Sequence, residues 1–262
     1  MRALDALVRL WEQAGDRITL IWEELAGFRS FTAGQAARTA RHPRRWATLY
    51  CTLVIVLGYF AFDRPLAGWA KAHVTGEAEG FWKIVTNLGL GGVWLVPSGL
   101  LALGLILSSL AASNLAEKAR LRALAWVPGF LFLAVALSGI ANTIIKVLIG
   151  RTRPVLLFEK GLYGFEPLTR AYATNSFPSG HSQAAFAAMM ALTLIFPRYD
   201  IAFIAVAVLV AASRVLTSVH FLSDAVMGAW LGAMVTLALH SLLKRKGIDV
   251  RVRPQRDRKL AE

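Results

Sequence analysis

The sequence predicts an all-α polytopic membrane protein, a bundle of six transmembrane helices preceded by an amphipathic N-terminal helix. Three observations carry that expectation. Hydrophobic residues make up 56% of the 262-residue chain, more than a water-soluble core of that size needs. They gather in runs of roughly 17–25 residues, the length at which a helix crosses a hydrocarbon layer of about 30 Å. Basic residues flank these runs, so the formal charge of +13 reads as the mark of cytoplasmic loops, and nucleic acid is not expected as a partner.

In residues 1–45, Leu4, Leu7, Val8, Trp11, Ile18, Ile21, Trp22 and Leu25 recur at three- and four-residue spacing, with Asp5, Arg9, Glu12, Asp16 and Arg17 on the other side. That pattern is an amphipathic helix too polar to span. It suits an interfacial anchor, a docking surface, or a terminal helix packed on its own bundle. A basic stretch at 38–45 follows. The membrane domain is expected over 46–243, with spans at about 46–62, 92–112, 124–149, 182–197, 199–215 and 221–243. Between the first two, residues 65–91 carry Trp69, Phe81 and Trp82 among scattered charges, as short interfacial helices do. Pro197 and Arg198 leave room only for a tight hairpin between spans four and five. Gly228 and Gly232 form a small-xxx-small pair suited to close packing within the bundle. Residues 244–262 form a basic tail.

Of the 29 Lys and Arg, 20 fall on the side of the two termini and 9 on the other, which places both termini in the cytoplasm. The first long apolar run begins near Trp46, not behind a short basic leader, so it is expected to persist as a span. The single cysteine, Cys51, has no intramolecular partner.

Three segments put ionisable side chains at helix ends on the outer side, where such residues are expensive unless paired or solvated. The first ends the third span with Lys146, Arg153 and Pro154; an ammonium and a planar guanidinium together suit the several oxygens of a phosphate group. Taken alone, it also fits two basic residues reaching for the interface. The second is Ser176-Phe177-Pro178-Ser179-Gly180-His181 ahead of the fourth span. Free backbone N–H groups there favour an anion, and Gly180 lets that anion come close. The same residues alone would make an ordinary helix start. The third runs from Ser213-Arg214 to His220 and Asp224; the four-residue spacing predicts that the carboxylate holds one ring nitrogen and leaves the other bare. Arg151, between the motif cations, is open to contact with a second phosphate.

This ordered set of residues resembles the three-part signature of the type 2 phosphatidic acid phosphatase superfamily, which includes membrane lipid phosphatases, sugar phosphatases and vanadium haloperoxidases. The motifs cover Lys146 to Asp224, and every signature position matches. The resemblance implies that His220 attacks phosphorus to form a phosphohistidine, that Asp224 orients it, and that His181 protonates the leaving group and later activates water. Lys146, Arg153, Ser179, Gly180 and Arg214 would bind the phosphate oxygens. Three cations with backbone donors can neutralise a transferring phosphoryl group. No carboxylate or cysteine cluster has metal-ligand spacing, so neither a metal nor another cofactor is expected.

The function expected is hydrolysis of a phosphomonoester or diphosphate on a membrane lipid, with the tail remaining in the bilayer. Undecaprenyl diphosphate, phosphatidylglycerol phosphate, phosphatidic acid and lipid A phosphates all fit. Short loops and the lack of an Asn-x-Ser/Thr acceptor suit a bacterial inner membrane with a periplasmic active site. Alternatives are a lipid-to-lipid phosphotransferase with the same site and a non-enzymatic anion transporter, although the latter leaves the His220 and Asp224 pair without a purpose. A haloperoxidase is disfavoured by the apolar spans, since members of that kind are soluble.

Overall fold

The computed structural model describes residues 43–252; the predicted amphipathic helix at the N-terminus and the end of the basic tail lie outside the described residues. Helix α1 (Pro43–Leu57) runs into a π-turn at Gly58–Phe62, and α2 (Asp63–His73) continues from it. Within 43–50, Thr48 Oγ1 donates to the Arg44 carbonyl at 2.8 Å, and the Trp46 and Tyr50 rings lie 6.1 Å apart. A short helix α3 (Gly76–Val85) and a 3-10 turn at Thr86–Gly89 lead into α4 (Gly91–Ala111).

Helix α5 (Leu115–Ile149) is 35 residues long and begins nine residues before the predicted span. Asn114 starts it there by accepting the Glu117 N–H at 2.7 Å, the N-cap arrangement. Lys118, Arg120 and Arg122 therefore ride on its first turns, not in a loop. Gly150, at φ +61°, ends the helix in the left-handed region. A Cβ there would lie 1.6 Å from the Glu166 carbonyl oxygen, so no other residue fits.

The second half comprises α6 (Pro154–Lys160), α7 (Gly180–Ile195), α8 (Asp200–Leu216) and α9 (Leu222–Arg245). A 3-10 turn at Pro197–Tyr199 joins α7 to α8, the tight hairpin expected at Pro197 and Arg198. Among the described residues, five segments are long and apolar enough to cross a membrane: Arg44–His73, Gly76–Ala111, Leu115–Ile149, Pro197–Leu216 and Leu222–Arg245. The predicted fourth span corresponds to α7, which has 16 residues and is enclosed by protein. Most of its residues, among them Ala184, Ala185, Ala187, Ala188 and Ala191, are buried against α5, α8 and α9.

Small side chains make that enclosure possible. A Cβ on Gly228 of α9 would stand 2.3 Å from the Ser179 carbonyl oxygen, and one on Gly232 would stand 2.3 Å from that of Gln183. The two backbones thus meet directly, as small residues allow inside membranes. One apolar cluster joins Phe130, Ala134, Ile195, Leu239 and Leu243; a second joins Val135, Ala184, Ala188, Met189 and Ala207. Residues 246–252, within the expected basic tail of 244–262, pack on the helices: Val250 is buried and the Val252 N–H donates to the Ile195 carbonyl at 3.0 Å. By contrast Leu100, Leu103, Ile106 and Leu107 of α4 are exposed, as side chains solvated by lipid can be.

Candidate active site

The C-terminal ends of α5 and α8 and the N-terminal ends of α7 and α9 meet at one end of the bundle. Backbone bonds between the segments hold them there. The Ser179 N–H donates to the Asp224 carbonyl at 2.9 Å, and the Ser176 N–H donates to that of Arg151 at 2.9 Å. The turn after α8 carries Ser218 at φ +53°, and the N–H groups of Val219 and His220 both return to the Arg214 carbonyl, at 3.2 and 3.0 Å. His220 is therefore fixed to the backbone of a motif cation before any side-chain contact is made.

His220 and Asp224 meet, but not as the spacing predicts. α9 begins at Leu222 with Phe221 as its N-cap, so His220 precedes the helix and shares no helical face with Asp224. The Asp224 carboxylate instead turns back to the helix start, its Oδ2 accepting the Phe221 N–H at 2.9 Å. His220 Nδ1 lies 3.6 Å from Oδ2, beyond hydrogen-bond reach. Ser176 fills the gap: its hydroxyl donates to Asp224 Oδ2 at 2.5 Å, and its Oγ lies 3.2 Å from His220 Nδ1. A hydroxyl has one proton. With that proton given to the carboxylate, Ser176 Oγ accepts from Nδ1–H, and Nε2 is left as the bare nitrogen. Burial pushes the His220 imidazole down to about 3, so the ring is neutral at ordinary pH.

Lys146 and Arg153 stand by this ring and Arg214 acts on His181, and among the described residues none of the three forms an ion pair with a carboxylate. Arg153 Nη1 lies 3.3 Å from His220 Nε2, while Nε donates to the Tyr172 carbonyl at 2.8 Å and Nη2 to that of Asn175 at 3.2 Å. Lys146 Nζ donates to the same Asn175 carbonyl at 2.9 Å. Arg214 Nη1 donates to Thr86 Oγ1 at 2.6 Å, and its buried Nε has no partner. Ser179 accepts from the Ser182 N–H and hydroxyl as the cap of α7, the role that segment would have in any protein. Gly180 follows it, with Asn142 Nδ2 3.7 Å from where a Cβ would stand. Lys146, Arg153 and Arg214 all act electrostatically on His181, and the first two act on His220 as well, so the two imidazoles share one cationic surrounding. Gly89 backs His181: a Cβ there would stand 2.8 Å from the histidine Cβ.

Arg151 does not face this surrounding, contrary to the expectation that it meets a second phosphate. It is 1% exposed, and its Nη1 donates to Asp224 Oδ1 at 2.6 Å and to Ser223 Oγ at 2.5 Å. Its Nη2 donates to Asp63 Oδ2 at 2.7 Å and to the Tyr163 hydroxyl at 2.9 Å. Burial weakens the charge, but Asp224 and Asp63 more than offset that and raise the Arg151 pKa. Arg153, two residues on, has its pKa lowered by burial. One arginine is neutralised by protein and the other is not.

Sequence reasoning missed Ser176, Thr86, Gly89, Asn142 and Asp63. Ser176 stood inside a motif segment, and Asn142 stands one helical turn before Lys146, so both had a positional signal. Asp63, Thr86 and Gly89 stand more than fifty residues before the first motif, and only the tertiary fold brings them near.

Comparison with known proteins follows the same lines. The pattern of the PAP2 superfamily matches residues 128–248. A lipid A 1-phosphatase of Rhizobium johnstonii is 34% identical over 218 residues, covering 81% of this chain and 86% of that protein. A lipid A 1-phosphatase of Rhizobium etli is 32% identical over 218 residues, covering 81% and 91%. Among solved structures, the first transmembrane PAP2 type phosphatidylglycerolphosphate phosphatase from Bacillus subtilis is similar in fold, with a TM-score of 0.56 at 20% identity over 78% of this chain and 97% of that one.

Proposed function

The chain belongs to the PAP2 superfamily and is a bacterial membrane lipid phosphatase, and from that premise we propose that it removes the 1-phosphate of lipid A through a phosphohistidine on His220. Identity of 32–34% with two lipid A 1-phosphatases over most of both chains is the observation that carries the substrate. The site's geometry supports the chemistry. Nε2 of His220 attacks phosphorus as the bond to the anomeric oxygen breaks; His181, whose pKa burial and the neighbouring cations lower to about 4, takes up a proton once the bound phosphate charge offsets those cations and gives it to that oxygen. Water, deprotonated by His181, then attacks phosphorus and releases His220 and inorganic phosphate. Lys146, Arg153 and Arg214, with the N–H groups at the start of α7, hold the equatorial oxygens as charge develops. The distribution of Lys and Arg supports a periplasmic site in the inner membrane, where the sugar headgroup reaches the cations and the acyl chains stay in lipid.

Phosphate release from purified lipid A, undecaprenyl diphosphate, phosphatidylglycerol phosphate and phosphatidic acid in detergent tests the substrate. Lipid A is expected to give the highest kcat/KM, with the 1-phosphate lost and the other retained. A preference of about tenfold or more for another lipid, roughly 1.4 kcal/mol in transition-state binding, overturns the assignment. With three protein cations supplying the charge neutralisation, excess EDTA is expected to leave the rate within about twofold; a larger fall, reversed by one divalent metal, overturns metal independence.

A further inference from the structure

We propose that Arg151 and Asp63 are positioning residues for the reaction, setting the His220 ring through Asp224 and Ser176. The proposal rests on His220 as the nucleophile.

Arg151 has five N–H donors and uses four of them on Asp224, Ser223, Asp63 and Tyr163. Its guanidinium is packed among rings, with Phe221 at 4.6 Å and Tyr59 at 5.0 Å. Nothing in this arrangement points toward a phosphate. Yet a buried ion pair seldom improves on apolar packing of the same volume, so helix packing alone does not account for it. What the pair does fix is the Asp224 carboxylate. Oδ2 takes the Phe221 N–H and the Ser176 hydroxyl, and Oδ1 takes Arg151. With both oxygens held, the carboxylate plane cannot rotate, the Ser176 hydroxyl has one acceptor, and the Nδ1–H of His220 has one place to go. Nε2 is thereby aimed as well as left bare.

Asp63 completes the device from the other end of the sequence. It follows the π-turn of the first long helix, a local irregularity frequent at functional positions. Its Oδ1 accepts the Ser223 N–H at 3.0 Å, and its Oδ2 accepts the Ser223 hydroxyl and Arg151. The side chain is fully buried. Arg151 thus stands between two carboxylates, and Asp63 keeps it from neutralising Asp224 alone. A net negative charge remains for the Ser176–His220 chain, where an imidazolium-like phosphohistidine has to be stabilised. Partners that hold metal-ligating side chains in this way are worth about 10–100-fold in activity, and an effect of that order is expected for His220.

The test uses Arg151→Gln, Arg151→Lys and Asp63→Asn in the full-length protein, purified in detergent beside the parent and His220→Ala. For each, kcat and KM for the lipid phosphate, the Ki of inorganic phosphate and the thermal midpoint are measured. Arg151→Gln is expected to lower kcat by roughly 100-fold and Asp63→Asn by roughly tenfold, with KM and Ki within about threefold, and Arg151→Lys is expected to recover at least a tenth of the parent kcat. A parent-like kcat in Arg151→Gln overturns the proposal. So does a loss of kcat matched by an equal rise in KM and Ki, which marks a phosphate contact, or a fall in thermal midpoint with kcat per folded enzyme unchanged, which marks packing alone. Should Arg151→Gln not fold, Asp63→Asn and Tyr163→Phe decide: a lower kcat at constant Ki supports the proposal, and an unchanged kcat removes it. His220→Ala separates the two levels. If that variant keeps activity, the nucleophile assignment has failed; if it is inactive while the Arg151 and Asp63 variants match the parent, only the positioning role has failed.

Discussion

Replacing His220 with alanine is expected to lower kcat by on the order of 10⁴-fold or more, because the covalent route is lost and no other nucleophile is held at phosphorus. Lys146, Arg153 and Arg214 remain, as does the N-terminus of α7, so KM and the Ki of inorganic phosphate should change by no more than about threefold. The separation follows from the geometry. Arg153 touches His220 Nε2 and donates to the Val219 carbonyl, but Lys146 and Arg153 are both held by the carbonyls of 172–176, which the substitution leaves in place. Rapid-quench labelling with a lipid carrying radioactive phosphate should trap an acid-labile phosphoenzyme in the parent and none in the variant. Release at more than about one-hundredth of the parent rate would end the phosphohistidine proposal.

A large structural effect is expected from Gly228→Ala. The added methyl would stand 2.3 Å from the Ser179 carbonyl oxygen and 3.2 Å from the Gln183 nitrogen, both backbone atoms that no rotamer change can move. Overpacking of this kind costs about 1–3 kcal/mol, or several degrees in thermal midpoint at roughly 2–4 °C per kcal/mol. Because Ser179 caps α7 and its N–H is bonded to the Asp224 carbonyl, the shift also parts Gly180 and His181 from His220. Activity should therefore fall more than the folded fraction does. A variant with the parent's midpoint and rate would show that the α7–α9 contact is looser than the backbone geometry requires.

The all-α membrane class was legible because length and apolarity alone decide whether a helix can cross lipid. Boundaries were less so. The start of α5 depends on Asn114 accepting one N–H, a single bond that moves the onset by more than two turns, and Lys118, Arg120 and Arg122 looked like a loop because charge was read as solvent. α7 was legible as apolar, but its small side chains are what allow it to be enclosed by protein, a property of its neighbours. In the site, the motif residues were visible as chemical types at fixed order. The link between His220 and Asp224 was not, since a four-residue spacing suggests a shared helical face and only the N-cap at Phe221 shows that the helix has yet to begin. Asp63 and Thr86 were beyond reach altogether: an aspartate after an apolar run, and a threonine in a connecting turn, carry no sign of partners Arg151 and Arg214 that lie far along the chain.

Lys146 and Arg153 share a single acceptor, the Asn175 carbonyl oxygen, and Arg214 has a buried nitrogen with no acceptor at all. An oxygen with no net charge satisfies hydrogen bonds but leaves like charges repelling across a poorly screened space. On the proposed reading of these cations as phosphate ligands, a tetrahedral oxyanion would relieve that repulsion. Release of orthophosphate would then work against that relief, so the crowding that attracts the headgroup is also expected to slow the departure of the product.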